Sequence, residues 1–155
     1  MAQQQPFNWY GRSDGVAVSA GQKADSSFDV IDSLAAQAVI PAGTLLQRGT
    51  DPETQAVALT TGAFCGVAVH KHTDPLYCSA GYPIGYEMPV MRLGRIYIKA
   101  GAAITAGADV ALGADAQHVI TATSGKKSLG RAITTVTTAE DLVVVEVNVY
   151  GSTLA

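Results

Sequence analysis

Charged residues, cysteines and long apolar runs are all scarce in this sequence, and each scarcity excludes a class of protein. Only 15% of the 155 residues are charged, against roughly 25% in a typical soluble domain. The net charge of −3 and the scattered basic residues argue against a nucleic-acid-binding surface. Two cysteines are too few for a disulfide scaffold, and no apolar run reaches the length of about 18 residues that indicates a membrane span.

The low charge and the amino terminus both bear on where the protein is made and used. A surface with so few charges suggests that another subunit covers part of it. The amino terminus lacks the basic patch and apolar core of a signal peptide. We therefore expect an intracellularly made, soluble protein.

A short pattern of apolar residues and an Ala-Gly turn occurs twice along the chain. The first copy covers residues 39–49 and the second covers residues 103–113. Each copy is followed by a second apolar run, by a strand that begins with glycine and by a longer β-like run. We therefore expect two related units, at about 38–99 and 102–150, within one β domain at 27–155.

The apolar pattern and the spacing of turns predict an all-β fold. Valine stands at every second position from 143 to 149, with mostly polar residues between, as in a strand with one buried face. Turn signals recur about every 8–12 residues, which predicts a small β-barrel or β-sandwich (tulip-like) built from two related halves. In the matching run of the first unit the apolar parity changes at Gly94, which predicts a β-bulge there. Good helix formers predict one helical turn between Ser33 and Ala38.

Residues 1–26 have the composition of an extended N-terminal arm. The stretch is mostly polar, yet Phe7, Trp9 and Tyr10 stand close together in it. These aromatic residues either fold back onto the domain's own core or anchor the arm on a partner, since aromatic residues are enriched at interfaces.

A long segment interrupts the repeat in the first unit. Residues 72–88 contain prolines and Tyr77, Tyr82 and Tyr86 but no strand pattern, and the second unit has no counterpart of similar length. A long loop on a β scaffold is a common place for recognition. We expect the three tyrosines to form subunit contacts; the alternative is a stacking platform for a carbohydrate or host receptor.

The residue types that carry catalysis or bind metals do not form a recognisable site in the sequence. His70 and His72 would share one face of a strand, but two imidazoles do not complete a metal site. Cys78 lacks the partners that activate a nucleophile, and the common nucleotide-binding and hydrolase motifs are absent. We therefore expect no enzyme activity, no metal and no cofactor.

Two arginines, Arg92 and Arg95, lie in an otherwise apolar run on either side of Leu93 and Gly94. One interpretation is that they are outward-facing strand charges, which discourage unwanted strand pairing. The other is that they pair with acidic residues across a subunit boundary, a role that suits the guanidinium group. The sequence leaves both open.

Several segments give the chain a resemblance to bacteriophage capsid cement, or head decoration, proteins. The shared pattern is an apolar strand, an Ala-Gly turn with a second strand, a Leu-Gly-x-Ala element and a valine-rich last strand. It covers roughly residues 28–150, and the segment from His72 to Met88 departs from it. In chain order the matching residues are 38–46, 64–68, 89–112, 129–132 and 142–149.

The resemblance implies a structural virion protein that binds the outer surface of the expanded phage head and stabilises the capsid lattice. It would be made in the host cytoplasm, and its partners would be the major capsid protein and its own copies, usually as a homotrimer although dimers occur. We expect no nucleic-acid partner and no membrane partner. Pairing of the arm with a capsid-protein strand would make Phe7, Trp9 and Tyr10 the capsid contacts. Arg92, Arg95 and the three tyrosines would remain the subunit contacts.

Overall fold

The computed structural model describes residues 18–71 and 80–150, and these residues form nine β-strands. The strands are β1 (Val30–Ala36), β2 (Leu45–Arg48), β3 (Gln55–Ala58), β4 (Phe64–Ala68), β5 (Glu87–Ala100), β6 (Asp109–Leu112), β7 (His118–Thr121), β8 (Gly130–Ala132) and β9 (Leu142–Asn148).

Strand pairing closes the nine strands into two five-stranded rings that share β5. The first ring runs β1–β3–β2–β4–β5 and returns to β1, and the second runs β5–β7–β6–β8–β9 and returns to β5. In each ring the opening strand is parallel to one neighbour (β1 to β3, β5 to β7) and antiparallel to the strand that closes the ring. The predicted all-β fold of two related halves is therefore confirmed, with β5 belonging to both rings.

Each ring has an apolar core built from equivalent positions. The bridge between Ile40 and Tyr82 in the first ring has its counterpart between Ile104 and Val136 in the second. The core of the first ring includes Leu34, Ala36, Ile40, Leu46, Ala56, Tyr82, Met88 and Val90. That of the second includes Ile96, Ile98, Ala100, Ile104, Val110, Val119, Val143, Val145 and Val147.

The outer faces of the two rings differ, and this difference explains how the rings pack together. Leu45, Val67 and Met91 form a cross-strand row on the outside of the first ring. All three are fully buried and belong to the same apolar cluster as the core of the second ring. Burial of each such side chain contributes about 1.5–3 kcal/mol. The outer face of the first ring therefore holds the second ring in place.

The equivalent row of the second ring is charged. Asp109 pairs with Arg131 across β6 and β8, and Arg131 pairs with Glu146 across β8 and β9. Arg131 Nε lies 3.7 Å from Asp109 Oδ1, and the side chain of Arg131 is 64% exposed. In a single copy of the chain, this charged row is therefore exposed to water.

The irregularity predicted at Gly94 lies two residues earlier. Val30 pairs with Leu93 and Ile31 with Met91, so Arg92 is the extra residue of a bulge against β1. Pairing with β9 is continuous from Leu93 to Lys99. Leu93, which follows the bulge, is only half-buried.

The predicted helical turn at residues 33–38 is wrong, because most of that segment lies in strand β1. Ala35 and Ala36 pair with β3 on one side, and Ser33 and Leu34 pair with β5 on the other. Burial of Leu34 and Ala36 in the first core outweighs a helix propensity that amounts to a few tenths of a kcal/mol per residue.

The end of the predicted arm is held against the second ring. Tyr97 N donates to Gln22 O (3.0 Å) and Ala24 N donates to Arg95 O (2.9 Å). Ala24 is buried against Tyr97 and Val144. We call residues 18–24 the strap, because they lie along the outside of β5. Residues 1–17 of the arm lie outside the described residues.

Candidate functional site

The structure describes some of the residues that the sequence singled out and not others. Phe7, Trp9, Tyr10 and Tyr77 lie outside the described residues, as do His72 and Cys78. The predicted residues that can be located are Tyr82, Tyr86, Arg92 and Arg95. The structure divides these four between two places, one in the first ring and one at the middle of β5.

Tyr82 lies inside the first ring rather than on the surface. It is 0% exposed, its hydroxyl donates to Val69 O (2.6 Å) and the same hydroxyl accepts from Lys71 N (3.0 Å). Its ring stacks on that of Tyr86, with centroids 5.4 Å apart. Tyr82 is therefore part of the core, and we do not retain it as a subunit contact. The sequence repeat could have indicated that Tyr82 is buried, because Tyr82 occupies the position that the apolar residue Val136 has in the second unit.

Tyr86 is half-buried at the edge of the same ring. Lys71 Nζ lies 3.0 Å from the Tyr86 hydroxyl and 5.0 Å from the centroid of its ring. Part of the Tyr86 ring therefore stays accessible, but its hydroxyl is already engaged within the chain.

Neither a metal site nor a membrane-spanning helix is found in the part of the chain that the structure describes. Within residues 18–71 and 80–150, no three His, Cys, Asp or Glu side chains lie close enough together to hold a metal ion. Over the same residues, no helix has the length and apolar character needed to cross a bilayer.

Arg92 and Arg95 form ion pairs within the chain. Arg92 Nη1 lies 3.2 Å from Asp32 Oδ2, and Arg92 Nη2 donates to the Tyr150 hydroxyl (2.7 Å). Arg95 Nε lies 3.0 Å from Glu146 Oε2, and Arg95 Nη1 lies 3.2 Å from Asp25 Oδ2. Acidic partners are thus available to both arginines without a second subunit.

The carboxylate of Asp25 is held in its charged form by this arrangement. Burial acts to raise the pKa of Asp25, but hydrogen bonds from Ser27 and Arg95 outweigh it and lower the pKa below its ordinary value. Arg95 therefore has a charged partner on the strap side of β5 and another, Glu146, on β9.

Two exposed aromatic residues flank the same part of β5, and the sequence analysis missed both. Phe28 is 79% exposed and Tyr150 is 78% exposed. The Tyr150 ring also lies 5.7 Å from the Arg92 guanidinium. Tyr150 could have been recognised, because it directly follows Val149, the last of the alternating valines, and so lies beyond the regular pattern of buried positions.

A second charged cluster surrounds His118 at the start of β7. His118 Nδ1 lies 2.7 Å from Asp115 Oδ1, and Nε2 lies 2.7 Å from Glu140 Oε1. Lys99 Nζ lies 3.7 Å from the other oxygen of Glu140. The hydrogen bond to Asp115 raises the pKa of His118 despite partial burial, and Glu140 adds to the effect. His118 is thereby stabilised as a cation between two carboxylates.

The pH dependence of stability should report this cluster. The pKa of His118 is raised from 6.5, so its contribution is complete below that value and is lost as the pH rises through the folded pKa. The pKa of Asp115 is lowered, so its contribution is lost only as the pH falls through the folded pKa, below 3.8. We expect His118→Gln to reduce the free energy of unfolding by about 0.5–1 kcal/mol at pH 6, allowing for solvent screening.

Urea denaturation at pH 6 and pH 9 measures this effect, and the loss should be smaller at pH 9. Lys126→Gln, which removes an exposed charge between β7 and β8, serves as the control. A difference between wild type and His118→Gln that does not change with pH would contradict the assignment.

Comparison with known proteins identifies a family. The family model described as "Structural cement protein (E217 gp24/Pam3 gp6)" matches residues 9–148. Among solved structures, the fold is similar to that of the head fiber gp8.5 N base of bacteriophage phi29, with a TM-score of 0.50 and 17% sequence identity. That match covers 83% of this chain and 99% of the phi29 chain. No curated protein matches the chain. Because the family model spans most of the 155 residues, the chain belongs to the phage structural cement protein family.

Proposed function

We propose that this protein binds the outer surface of the expanded phage head, where it reinforces the capsid lattice without catalysing a reaction. The observation that carries the proposal is the match of residues 9–148 to the structural cement protein family. Membership of that family gives the chain a structural, capsid-stabilising role. The outer surface, the expanded state of the head and the major capsid protein as partner are the finer parts of the proposal.

The N-terminal arm is the proposed capsid contact. Each of the nine described strands has a partner strand on both sides over at least part of its length, which leaves the rings few open edges to which a capsid-protein strand could add. A segment outside the rings can pair in this way, and main-chain hydrogen bonds then supply affinity. Phe7, Trp9 and Tyr10 would fill side-chain pockets on the capsid protein. The eight residue steps from Val18 to Tyr10 can span at most about 28 Å when extended.

Self-association is the second part of the proposal. A homotrimer, or alternatively a dimer, would present several arms to the lattice at once. Binding of one arm then raises the effective concentration of the others, so modest affinities combine into tight binding. The low charged fraction of 15% supports a surface that is partly covered by another subunit.

The alternative function, recognition of a carbohydrate or host receptor by the 72–88 loop, has less support. That function requires a platform of exposed tyrosines, and Tyr82 is 0% exposed. We therefore propose no second function.

Co-sedimentation with expanded, undecorated heads of the source phage tests the proposal. We expect the wild-type chain to pellet with heads in a saturable manner. Removal of residues 1–12, or replacement of Phe7, Trp9 and Tyr10 by serine, should weaken binding by at least about 100-fold, since each aromatic anchor is worth about 1–2 kcal/mol or more. Both variants retain the strap, so the thermal unfolding midpoint should stay unchanged.

Ile84→Ser is the matched control, because it removes an apolar side chain that is 72% exposed on the β domain. It should pellet as the wild type does. Equal pelleting of the arm variants would move the capsid contact onto the β domain. Failure of the wild type to pellet would overturn the proposed function.

A further inference from the structure

We propose that the surface where β1, β5 and β9 meet binds a second copy of this chain. We call it the crossover surface and define it by Phe28, Leu93, Tyr150, Arg92 and Arg95. The inference rests on the proposed function only in assuming that the protein self-associates. It goes further in stating where the subunits touch and which groups make the contact.

The strand register brings the apolar members of this surface together. Val30 of β1 pairs with Leu93, and Leu93 pairs with Asn148 of β9. Phe28 lies two residues before Val30, and Tyr150 lies two residues after Asn148. Phe28 and Tyr150 are therefore offset by two inter-strand spacings across the sheet and by about four residues along the strand direction. Together these offsets place the two residues roughly 16 Å apart. Both fit within one protein–protein interface of ordinary size, which buries about 800 Å² per partner.

Phe28 and Tyr150 leave more apolar surface in water than other large side chains of the described ranges. They are 79% and 78% exposed, and Ile31, beside Val30 on β1, is 42% exposed. The other two large apolar side chains that stand out in residues 18–71 and 80–150 are Val39, which lies beyond the far end of β1, and Ile84, which lies between β4 and β5. The crossover surface thus combines two exposed aromatic side chains, Phe28 and Tyr150, with one half-buried apolar residue, Leu93.

The two arginines of the surface are already oriented. Arg92 is fixed by Asp32 and by the Tyr150 hydroxyl, at 3.2 Å and 2.7 Å. Arg95 is fixed between Glu146 and Asp25, at 3.0 Å and 3.2 Å. Side chains held in place before binding lose less conformational entropy on association. Tyrosine and arginine are also the residue types that dominate the energetics of interfaces.

The charges of the surface indicate what kind of partner it fits. Two arginines alternate with three carboxylates, those of Asp25, Asp32 and Glu146. A nearly balanced, alternating set offers no field of one sign to a nucleic acid or to a strongly charged partner. A two-fold rotation of this surface can place the arginines of one subunit beside the carboxylates of the other, which corresponds to the dimeric alternative rather than to the homotrimer. A second copy of this chain is therefore the occupant that the surface fits.

Sedimentation equilibrium of the full chain over a range of concentrations tests the proposal. We expect the wild type to form a closed dimer, and Phe28→Asp and Tyr150→Ser each to raise the dissociation constant at least tenfold. The matched control is Ile84→Asp, which changes an apolar side chain of similar exposure outside the crossover surface and should leave the oligomer intact. Tyr150 follows the last strand, so Tyr150→Ser tests the surface even if Phe28→Asp alters folding.

Three results would overturn the proposal. They are a wild type that stays monomeric at every concentration, crossover variants that associate as the wild type does, and equal weakening by Ile84→Asp. Co-sedimentation with heads separates this inference from the proposed function. Crossover variants that remain oligomeric but no longer bind heads would assign the surface to the capsid protein instead. An oligomer that depends on the crossover surface but binds no heads would support this inference and overturn the proposed function.

Discussion

Replacement of Val67 by arginine is expected to lower the free energy of unfolding by about 3–5 kcal/mol, because it places an unpaired charge where the two rings pack together. Val67 is 0% exposed and lies in the cluster that joins the outer face of the first ring to the core of the second. A guanidinium group at this position must either lose its water or force the rings apart. Urea denaturation followed by circular dichroism measures the loss.

The repeat supplies the matched control for this substitution. Arg131 occupies in the second ring the place that Val67 has in the first, since Val67 pairs with Leu45 and Arg131 with Asp109. Its side chain is 64% exposed, so Arg131→Val should change the free energy of unfolding by no more than about 0.5–1 kcal/mol. Equal losses from the two exchanges would contradict the packing of one ring on the other.

Replacement of Gly130 by alanine is the second change for which we expect a large effect. Gly130 has a φ of 155°, and an added Cβ would lie 2.1 Å from the carbonyl oxygen of Glu146. Gly130 pairs with Val147 in the ladder between β8 and β9, so the backbone atoms in the way cannot move without breaking that ladder. We expect a loss of about 3–4 kcal/mol from the clash and the backbone strain together.

Gly107→Ala separates the clash from the strain. Gly107 also has a positive φ, of 89°, but an added Cβ would meet no atom within 4 Å. Its loss should therefore be about 1–2 kcal/mol, the cost of the left-handed conformation alone. Thermal and urea denaturation of both variants provide the comparison. A Gly130→Ala protein as stable as Gly107→Ala would mean that β8 and β9 do not approach each other as closely as described.

The repeat allowed much of the fold to be predicted from sequence, because local signals coincide with it. Alternating valines predicted β9, and the Ala-Gly turns marked the entrances to β2 and β6. Closure of each ring was not predictable in this way, since it depends on pairing between residues far apart, such as Val30 with Leu93. The helical prediction for residues 33–38 failed for the same reason: pairing on both sides of β1 decides the conformation.

The candidate site was predicted less well than the fold. Arg92 and Arg95 were identified because charges are unexpected in an apolar strand, but their acidic partners lie 51–70 positions away in sequence. The sequence also contains evidence, which the analysis of the sequence overlooked, that one β-ring packs on the other. Leu45 and Leu46 are adjacent and both fully buried, whereas their counterparts are Asp109 and Val110. Two neighbouring apolar residues indicate a strand covered on both faces, which distinguishes the first ring from the second.

The shared strand β5 has a mechanical consequence. It runs without interruption for 14 residues, from Glu87 to Ala100, and its two halves form walls of different rings. No flexible linker therefore lies between the rings. A tensile load applied along β5 acts in shear on its ladders with β1 and β9, so many hydrogen bonds resist it at once rather than opening one after another. This rigidity suits a protein that stabilises a capsid, because a flexible connection between the two rings would extend under load before it resisted the load.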